Sequence, residues 1–209
     1  KSFMESSPSR EEQVIALLDQ GAVFLGKLHS RGILHLDLKP ANILLREKEP
    51  LKIAVTDFGI ASLLGEEYSK KMTDVKGTSL YQSPESLSGI VGPKSDWWAL
   101  GMIAFEWLTG KHPFEGLQRQ AIFYRLTTGD LRPDETLPAE WRGLIRGLLT
   151  RNPDQRWGRR EVSQWLEKQA KSSSAQGGIL GHEAGPFPRE NKRALSVPFV
   201  FDGRSFASL

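Results

Sequence analysis

The chain of 209 residues contains no cysteine and no long apolar segment. Without thiols it can form neither disulfide bonds nor thiolate metal sites, which fits a reducing compartment, so we expect a cytoplasmic protein. The longest apolar run, Trp97 to Leu108, includes Glu106 and is far shorter than the roughly 20 residues of a membrane-spanning helix. The run therefore predicts a buried helix, and we expect neither a membrane segment nor a signal peptide in this chain.

A strong charge of either sign is also absent. Lys and Arg number 28 and Asp and Glu 25, which gives a net charge of +3, although the isoelectric point is about 9.2. No arginine cluster lies among aromatic residues, so we interpret the surface as mildly basic and expect no nucleic-acid binding. The hydrophobic fraction of 39% suffices for a sizeable core, and 25% charged residues indicate a soluble protein.

The first half of the chain predicts one helix and one hairpin. Apolar residues at helical spacing predict a helix over Glu11–Ser30, and Gly32 marks a turn. Two short apolar runs, 42–45 and 51–58, flank a polar break and are expected to pair as a hairpin. Residues 61–96 contain scattered Gly, Ser, Thr and Pro and predict a long loop, which in a compact domain is usually functional.

The second half predicts four further helices, which are Trp97–Thr109, Gln118–Thr128, Ala139–Thr150 and Arg160–Ala170. Residues 171–195 are rich in Ser, Gly and Pro and predict a linker. Residues 196–209 alternate apolar and polar residues around an Asp-Gly turn and start either an accessory module or an ordered tail that packs on the domain. We therefore expect a domain over residues 1–170, a linker, and a possible second module.

Polar side chains cluster at the ends of the two apolar runs. Asp37, Lys39 and Asn42 lie before or at the start of the first run, and Asp57 lies near the end of the second. If the runs pair, two carboxylates and an amide converge with an ammonium group nearby. Such oxygen ligands suit Mg²⁺ carried by a polyphosphate, and a lysine suits a phosphoryl oxygen. A carboxylate can also accept a proton from an attacking hydroxyl, so the cluster predicts phosphoryl transfer.

Three motifs in this order resemble those of protein kinases. "HLDLKPAN" (His35–Asn42) resembles the catalytic loop H-R-D-L-x-x-x-N, Asp57–Gly59 matches D-F-G, and Ser83–Glu85 resembles A-P-E with serine for alanine. Four downstream stretches add to the resemblance: "GTSLYQSPE", "SDWWALG", "GKHPF" and "NPDQRWG". The resemblance covers about residues 8–170. It implies a eukaryotic-like Ser/Thr protein kinase whose C-terminal lobe is mainly α, or α+β overall, with short β-hairpins around the catalytic loop.

The resemblance also implies the roles of five residues. Asp37 is expected to be the catalytic base, and Asn42 and Asp57 are expected to hold Mg²⁺. Lys39 is expected to contact the transferring phosphoryl group of ATP, and a lysine here resembles Ser/Thr rather than tyrosine kinases. Thr78 is expected to bridge Asp37 and Lys39. The implied partners are ATP, Mg²⁺ and a protein substrate with a Ser or Thr acceptor.

Structural roles follow from the same resemblance. His35 and Phe58 are expected to stack in the core, and Glu85 is expected to pair with Arg156. Asp96 is expected to cap its helix and to bind the backbone of the catalytic loop. We interpret the remaining conspicuous residues as structural: helix core for Trp97, Trp98 and Trp107, surface or turn for His29, His112 and His182, and a solvated helix start for Arg159 and Arg160.

One motif is interpreted as a coincidence. Gly21–Lys27 satisfies the P-loop pattern G-x-x-x-x-G-K, but Leu28 stands where a P-loop has Ser or Thr. No strand precedes the segment, and it falls within the amphipathic helix predicted over Glu11–Ser30. We therefore expect it to be helical and to bind no phosphate.

The chain departs from the kinase pattern in two ways. Leu36 replaces the arginine that in many kinases binds a phosphorylated loop residue, so the resemblance is to the non-arginine (non-RD) subset, and activity is expected without loop phosphorylation. The Gly-rich loop is also missing, since no G-x-G occurs. We therefore expect only the large lobe, with the N-terminal lobe absent from this chain and supplied in cis or in trans. The alternative to a truncated kinase is a non-catalytic binding or regulatory module.

Overall fold

The computed structural model describes residues 9–48, 51–56, 62–63, 80–129, 131–133 and 135–176. Its helices are α1 (Arg10–His29), α2 (Pro93–Thr109), α3 (Arg119–Thr128), α4 (Ala139–Leu148) and α5 (Arg159–Gln176). Its strands are β1 (Ile33–Leu34), β2 (Ile43–Lys48), β3 (Leu51–Val55) and β4 (Ser62–Leu63). The described part is thus mostly helical with little sheet, as the sequence predicts, and no helix in it is long and apolar enough to cross a membrane.

Helix α1 begins at a capping box. The Ser9 hydroxyl accepts the N–H of Glu12 at 3.2 Å, while the Glu12 carboxylate accepts the N–H of Ser9 at 2.6 Å. These bonds pair backbone donors that the first turn leaves open, a contribution of about 1 kcal/mol. The helix contains the whole P-loop-like segment Gly21–Lys27, so the prediction that this segment is helical is confirmed. Its buried apolar face includes Leu17, Leu18 and Leu25.

Two small antiparallel sheets follow α1. Strands β2 and β3 pair as the predicted hairpin, with Ile43 opposite Val55 and Lys48 opposite Leu51. Strands β1 and β4 pair over two residues each. Because β4 and the 3-10 turn Pro84–Ser88 lie within residues 61–96, the prediction of one continuous loop there is wrong. Short pairings of this kind have too few residues to show a periodic pattern in the sequence.

Helix α2 lies at the centre of the core. Trp97 and Trp98 are 3% and 1% exposed, and Trp107 packs against the core while partly buried, so their interpretation as core residues is confirmed. Each fully buried large side chain contributes about 1.5–3 kcal/mol. Gly101 allows α2 and α4 to approach closely, since a Cβ at this position would lie 2.7 Å from the Cβ of Leu148.

The boundaries of α2 and α5 differ from the sequence prediction. Helix α2 begins at Pro93, with Gly92 as its N-cap, instead of at Trp97. Helix α5 runs to Gln176 and thus past Ala170 into the stretch predicted as linker. Contacts divide the chain into two units between Ser172 and Ser173. The division into domain, linker and accessory module stays a prediction.

Candidate active site

The catalytic loop folds back so that three of its polar side chains meet. Lys39 donates from Nζ to Oδ2 of Asp37 at 2.8 Å. Asn42 donates from Nδ2 to the Asp37 carbonyl at 2.8 Å and to Oδ2 at 3.1 Å. The 3-10 turn Pro40–Asn42, with proline in its first turn, reverses the chain and makes these contacts possible. The structure therefore brings Asp37, Lys39 and Asn42 together.

The exposure of these side chains suits a reaction at the surface of the lobe. Asp37 is 18% exposed and Lys39 is 36% exposed, whereas Asn42 is buried. An ion pair this accessible contributes at most about 1 kcal/mol to folding, so its value lies in orienting Asp37. Since the Asn42 nitrogen is used within the loop, Oδ1 is the atom of that side chain able to bind a cation.

Leu36 has a backbone conformation that is unusual for leucine. Its φ of 62° is the only positive value of a non-glycine residue in the ranges that the structure describes. The left-handed conformation costs a residue with a Cβ about 1–2 kcal/mol. Asp96 offsets that cost, because it accepts the N–H of His35 at 2.9 Å and the N–H of Leu36 at 2.8 Å. The strained residue directly precedes Asp37 in the chain.

The contacts of Asp96 confirm one prediction and correct another. Its carboxylate binds the backbone of the catalytic loop, as expected. It does not cap α2, because Gly92 is the N-cap and Asp96 belongs to the first turn. Pro93 can start a helix, since it needs no partner for an N–H group, and this moves the helix start upstream of the aspartate.

His29 has a role that the sequence interpretation missed. Its Nε2 lies 2.8 Å from Oδ2 of Asp96, and its side chain is 12% exposed. The interpretation as a surface or turn residue is therefore wrong for His29, which ends α1 and reaches the carboxylate behind the catalytic loop. His35 is fully buried and packs edge-on against Phe24 at 6.0 Å. The predicted stacking of His35 on Phe58 involves a residue outside the described ranges.

The hairpin places the end of β3 beside Asn42. The N–H of Thr56 donates to the Asn42 carbonyl at 2.9 Å, one residue beyond the strand pairing. Asp57 follows Thr56 in the chain but lies outside the described residues, as does Thr78. Within the described ranges, no three His, Asp or Glu side chains converge as metal ligands. The predicted metal pair of Asn42 and Asp57 therefore stays a prediction.

A second polar cluster lies between the Ser83–Glu85 motif and the end of α2. The Tyr81 hydroxyl donates to Oε2 of Glu106 at 2.6 Å. Burial, helped by this hydrogen bond, raises the pKa of Tyr81 above its ordinary value. His112 packs edge-on against Tyr81 at 5.1 Å, so its interpretation as a turn or surface residue missed this packing. Burial lowers the pKa of His112, and the charge of Glu106 opposes that shift only in part.

The sequence held a signal for this cluster, because Glu106 is the one charged residue of the apolar run Trp97 to Leu108.

A further residue that the sequence interpretation missed is Leu44, which is 49% exposed on β2, two positions after Asn42. An exposed leucine this close to a polar site offers an apolar surface on which a ring can lie. Exposure of a residue within an apolar run cannot be deduced from the run alone.

A family model for the protein kinase domain matches residues 3–167. The chain belongs to the protein kinase domain family, and its described part has the helix-rich architecture of the larger lobe. Over 149 residues it is 39% identical to ribosomal protein S6 kinase alpha-2 of Mus musculus. This alignment covers 71% of the chain and 20% of the relative. It is 40% identical to ribosomal protein S6 kinase 2 alpha of Gallus gallus over an alignment that covers 71% of the chain and 19% of the relative. The matched segment thus spans about a fifth of these curated relatives.

Proposed function

We propose that this chain is the large lobe of a Ser/Thr protein kinase, which transfers the γ-phosphoryl group of ATP to a protein hydroxyl. The observation that carries the proposal is the meeting of Asp37, Lys39 and Asn42 in one exposed loop. In the reaction, the substrate oxygen bonds to the γ-phosphorus and the bond to the β,γ-bridging oxygen breaks. The hydroxyl proton goes to a carboxylate and ADP leaves.

Asp37 is the group that receives this proton. Lys39 and Asn42 both donate to Oδ2, so we assign Oδ1 to the substrate hydroxyl. The two donors fix the rotation of the carboxylate, which lets it orient the hydroxyl before the transfer. Lys39 is exposed enough to move its ammonium group toward the transferring phosphoryl oxygens, where a positive charge stabilises the transition state.

Asn42 and Asp57 are the proposed ligands of Mg²⁺. The Asn42 side chain fits this role, because its nitrogen is used by Asp37 and its remaining atom is a hard oxygen. Mg²⁺ held there would neutralise charge on the phosphates of ATP. Leu44, exposed on β2, is proposed to contact one face of the adenine ring, and the N-terminal lobe, supplied in cis or in trans, is proposed to cover the other face.

Substrate type and regulation are proposed from two loop residues. Lys39 favours Ser and Thr over Tyr acceptors. Leu36 cannot pair with a phosphate, so we propose a non-RD kinase whose activity needs no phosphorylated loop residue. The substrate is a protein and not a nucleic acid. A cytoplasmic location stays a prediction.

Substitution of Asp37 tests the proposal. The protein with both lobes, carrying Asp37→Asn, should transfer ³²P from γ-labelled ATP to a Ser/Thr peptide library about 10²–10⁴-fold more slowly. The control Asp19→Asn removes an exposed carboxylate of α1 and should leave the rate unchanged. Equal rates for the protein with Asp37 and with Asp37→Asn would overturn the assignment, and absence of transfer from either would favour the non-catalytic alternative.

A further inference from the structure

Gln20 on α1 binds the edge of β3 that faces away from β2. Its Nε2 donates to the Leu51 carbonyl at 2.8 Å, and its Oε1 accepts the N–H of Ile53 at 2.9 Å. In an antiparallel sheet, the carbonyl of one residue and the N–H two residues further on point to the same neighbouring strand. The side-chain amide of Gln20 therefore takes the place of a third strand.

The pairing of β2 with β3 is irregular at this point. Leu45 lies opposite Ile53 and Glu47 lies opposite Lys52, so β2 holds one residue more than β3 between these pairs. A bulge disrupts the ladder of hydrogen bonds locally, and a slip of the pairing by one residue would move every following side chain to the other face. Gln20 holds the two residues that flank Lys52, which is where such a slip would start.

The other end of the hairpin carries the polar site. Ile43 lies opposite Val55, and the N–H of Thr56 donates to the Asn42 carbonyl at 2.9 Å. Asn42 in turn holds Asp37 through its side-chain nitrogen. A slip by one residue moves β3 by about 3.3 Å relative to β2, which is too far for the hydrogen bond between Thr56 and Asn42 to survive.

We propose that Gln20 is a positioning residue that fixes the register of the β2–β3 hairpin and thereby holds Asn42 in place for binding of Mg²⁺. The predicted effect on the Mg²⁺ dependence of phosphoryl transfer rests on the proposed kinase function, whereas the predicted effect on the register of the hairpin does not. Gln20 touches neither substrate nor metal and acts through Leu51 and Ile53. Gln20 lies 22 positions before Asn42 in the chain and on a different element.

Loss of stability alone does not test this role. Removing the Gln20 amide removes two hydrogen bonds and so lowers stability whether or not Gln20 fixes the register. Leu18→Ala is a suitable control, because Leu18 lies on the same helix, is fully buried and should lower stability by leaving a cavity. A stability effect without a register effect is expected of Leu18→Ala, and both effects are expected of Gln20→Met.

The first measurement is amide hydrogen exchange by NMR on this chain. Gln20→Met should speed exchange of the Thr56 and Ile53 amides at least tenfold beyond the change expected from its global stability, and Leu18→Ala should not. Gln20→Glu supplies a conservative rescue, since a carboxyl group donates to the Leu51 carbonyl only when it is protonated. Protection of the Thr56 amide should therefore return in Gln20→Glu as the pH falls below about 4.

The second measurement is the Mg²⁺ dependence of phosphoryl transfer in the protein with both lobes. Gln20→Met should raise the apparent KM for Mg²⁺ several-fold and leave kcat at saturating Mg²⁺ within about twofold, whereas Leu18→Ala should leave that KM unchanged at a temperature where both variants are folded. If Gln20→Met and Leu18→Ala give the same amide exchange, after correction for global stability, and the same apparent KM for Mg²⁺, Gln20 has no positioning role, although the kinase function stands. If no variant transfers phosphate, the kinase function fails, and the exchange data still decide the register role.

Discussion

Arg156 binds Glu85 with both of its terminal nitrogens, at 2.7 and 2.9 Å, although the two residues lie 71 positions apart. The pair matches the sequence prediction. The guanidinium group is buried and packs 4.9 Å from the centre of the Trp98 ring. Its remaining donors bind the carbonyl oxygens of Lys94, Thr150 and Arg151. All five N–H donors of the side chain are thus paired, so this arginine ties the Ser83–Glu85 motif to α2 and to the segment before α5.

Replacement of Arg156 should be among the most destabilising changes in the chain. Arg156→Met removes both donors that pair with the Glu85 carboxylate, which keeps the Ser95 hydroxyl as a partner. It also removes the Arg156 donors to three carbonyl groups, so the free energy of unfolding should fall by about 3–5 kcal/mol. Arg160→Met, at an exposed position of α5, is the control and should change the free energy of unfolding by less than about 0.5 kcal/mol. Urea denaturation measures both values.

The pair should also show strong coupling in a double-mutant cycle. Glu85→Met combined with Arg156→Met removes both charges and leaves no carboxylate without a partner. Because much of the single-variant cost is the unpaired group, the double variant should lose less stability than the two single variants together. Additive losses would show that the two residues act independently.

The ionisation of Glu85 should make stability depend on pH. Burial alone would raise the pKa of Glu85, but the hydrogen bonds and the charge of Arg156 outweigh it and lower the pKa. A carboxyl group with a lowered pKa stabilises the fold above its unfolded-state value of about 4.3. This contribution is lost as the pH falls from there through the folded-state pKa. Urea midpoints should therefore fall more steeply below about pH 4 for the chain with Glu85 than for Glu85→Gln.

Two glycines allow a matched test of the contact between α2 and α4. Gly101→Ala places a methyl group 2.7 Å from the Cβ of Leu148, so it should destabilise the fold by about 1–3 kcal/mol. At Gly143, on α4, a Cβ would meet no atom within 4 Å, and Gly143→Ala should stabilise the helix by up to about 1 kcal/mol. Thermal unfolding should show opposite signs, and the same sign for both would contradict the packing.

The sequence predicted the elements whose signals are local. The helical spacing of Leu17, Leu18 and Leu25 gave α1, and the two apolar runs gave the β2–β3 hairpin. The motifs also predicted a candidate site, and the contacts among Asp37, Lys39 and Asn42 were predictable because these residues lie within one short loop.

Contacts between distant segments were harder to predict. The bond between His29 and Asp96 joins residues 67 positions apart, and neither neighbourhood contains a spacing that indicates the other. The start of α2 was placed too late for a related reason: Asp96 resembles a cap by residue type, but its carboxylate is used by the loop. Gln20 carried no signal either, since a glutamine within a helix is ordinarily a solvated residue.

Activity should not require phosphorylation of the loop between Asp57 and Glu85. Leu36 offers no positive charge with which a phosphate could pair. A variant without five hydroxyl groups of this stretch should keep its phosphotransfer rate within a few-fold, and these are Ser62, Tyr68, Ser69, Thr73 and Ser79. The rate with γ-labelled ATP and mass spectrometry of the loop measure this. Complete loss of activity in a variant that still unfolds cooperatively would contradict the prediction.

Asp96→Asn should lower both the stability of the lobe and the kcat that depends on the orientation of Asp37, and the two effects can be measured separately. The amide keeps one oxygen and places an NH₂ group where the second oxygen accepted a hydrogen bond, so one N–H of His35 or Leu36 loses its acceptor. Stability should fall by about 1–3 kcal/mol. Because the left-handed turn at Leu36 then relaxes, Asp37 shifts and kcat should fall by about 10²-fold at a temperature where the variant remains folded.

Two controls make this result specific. Asp154→Asn changes an exposed carboxylate and should alter neither stability nor kcat. His29→Gln keeps an N–H donor near Asp96 and should retain most of kcat, whereas His29→Phe removes the donor and should lower it. Equal kcat values for Asp96→Asn and Asp154→Asn would show that the turn at Leu36 holds without its carboxylate. A fall confined to Asp96→Asn and His29→Phe would show that the end of α1 supports the catalytic loop through that one buried group.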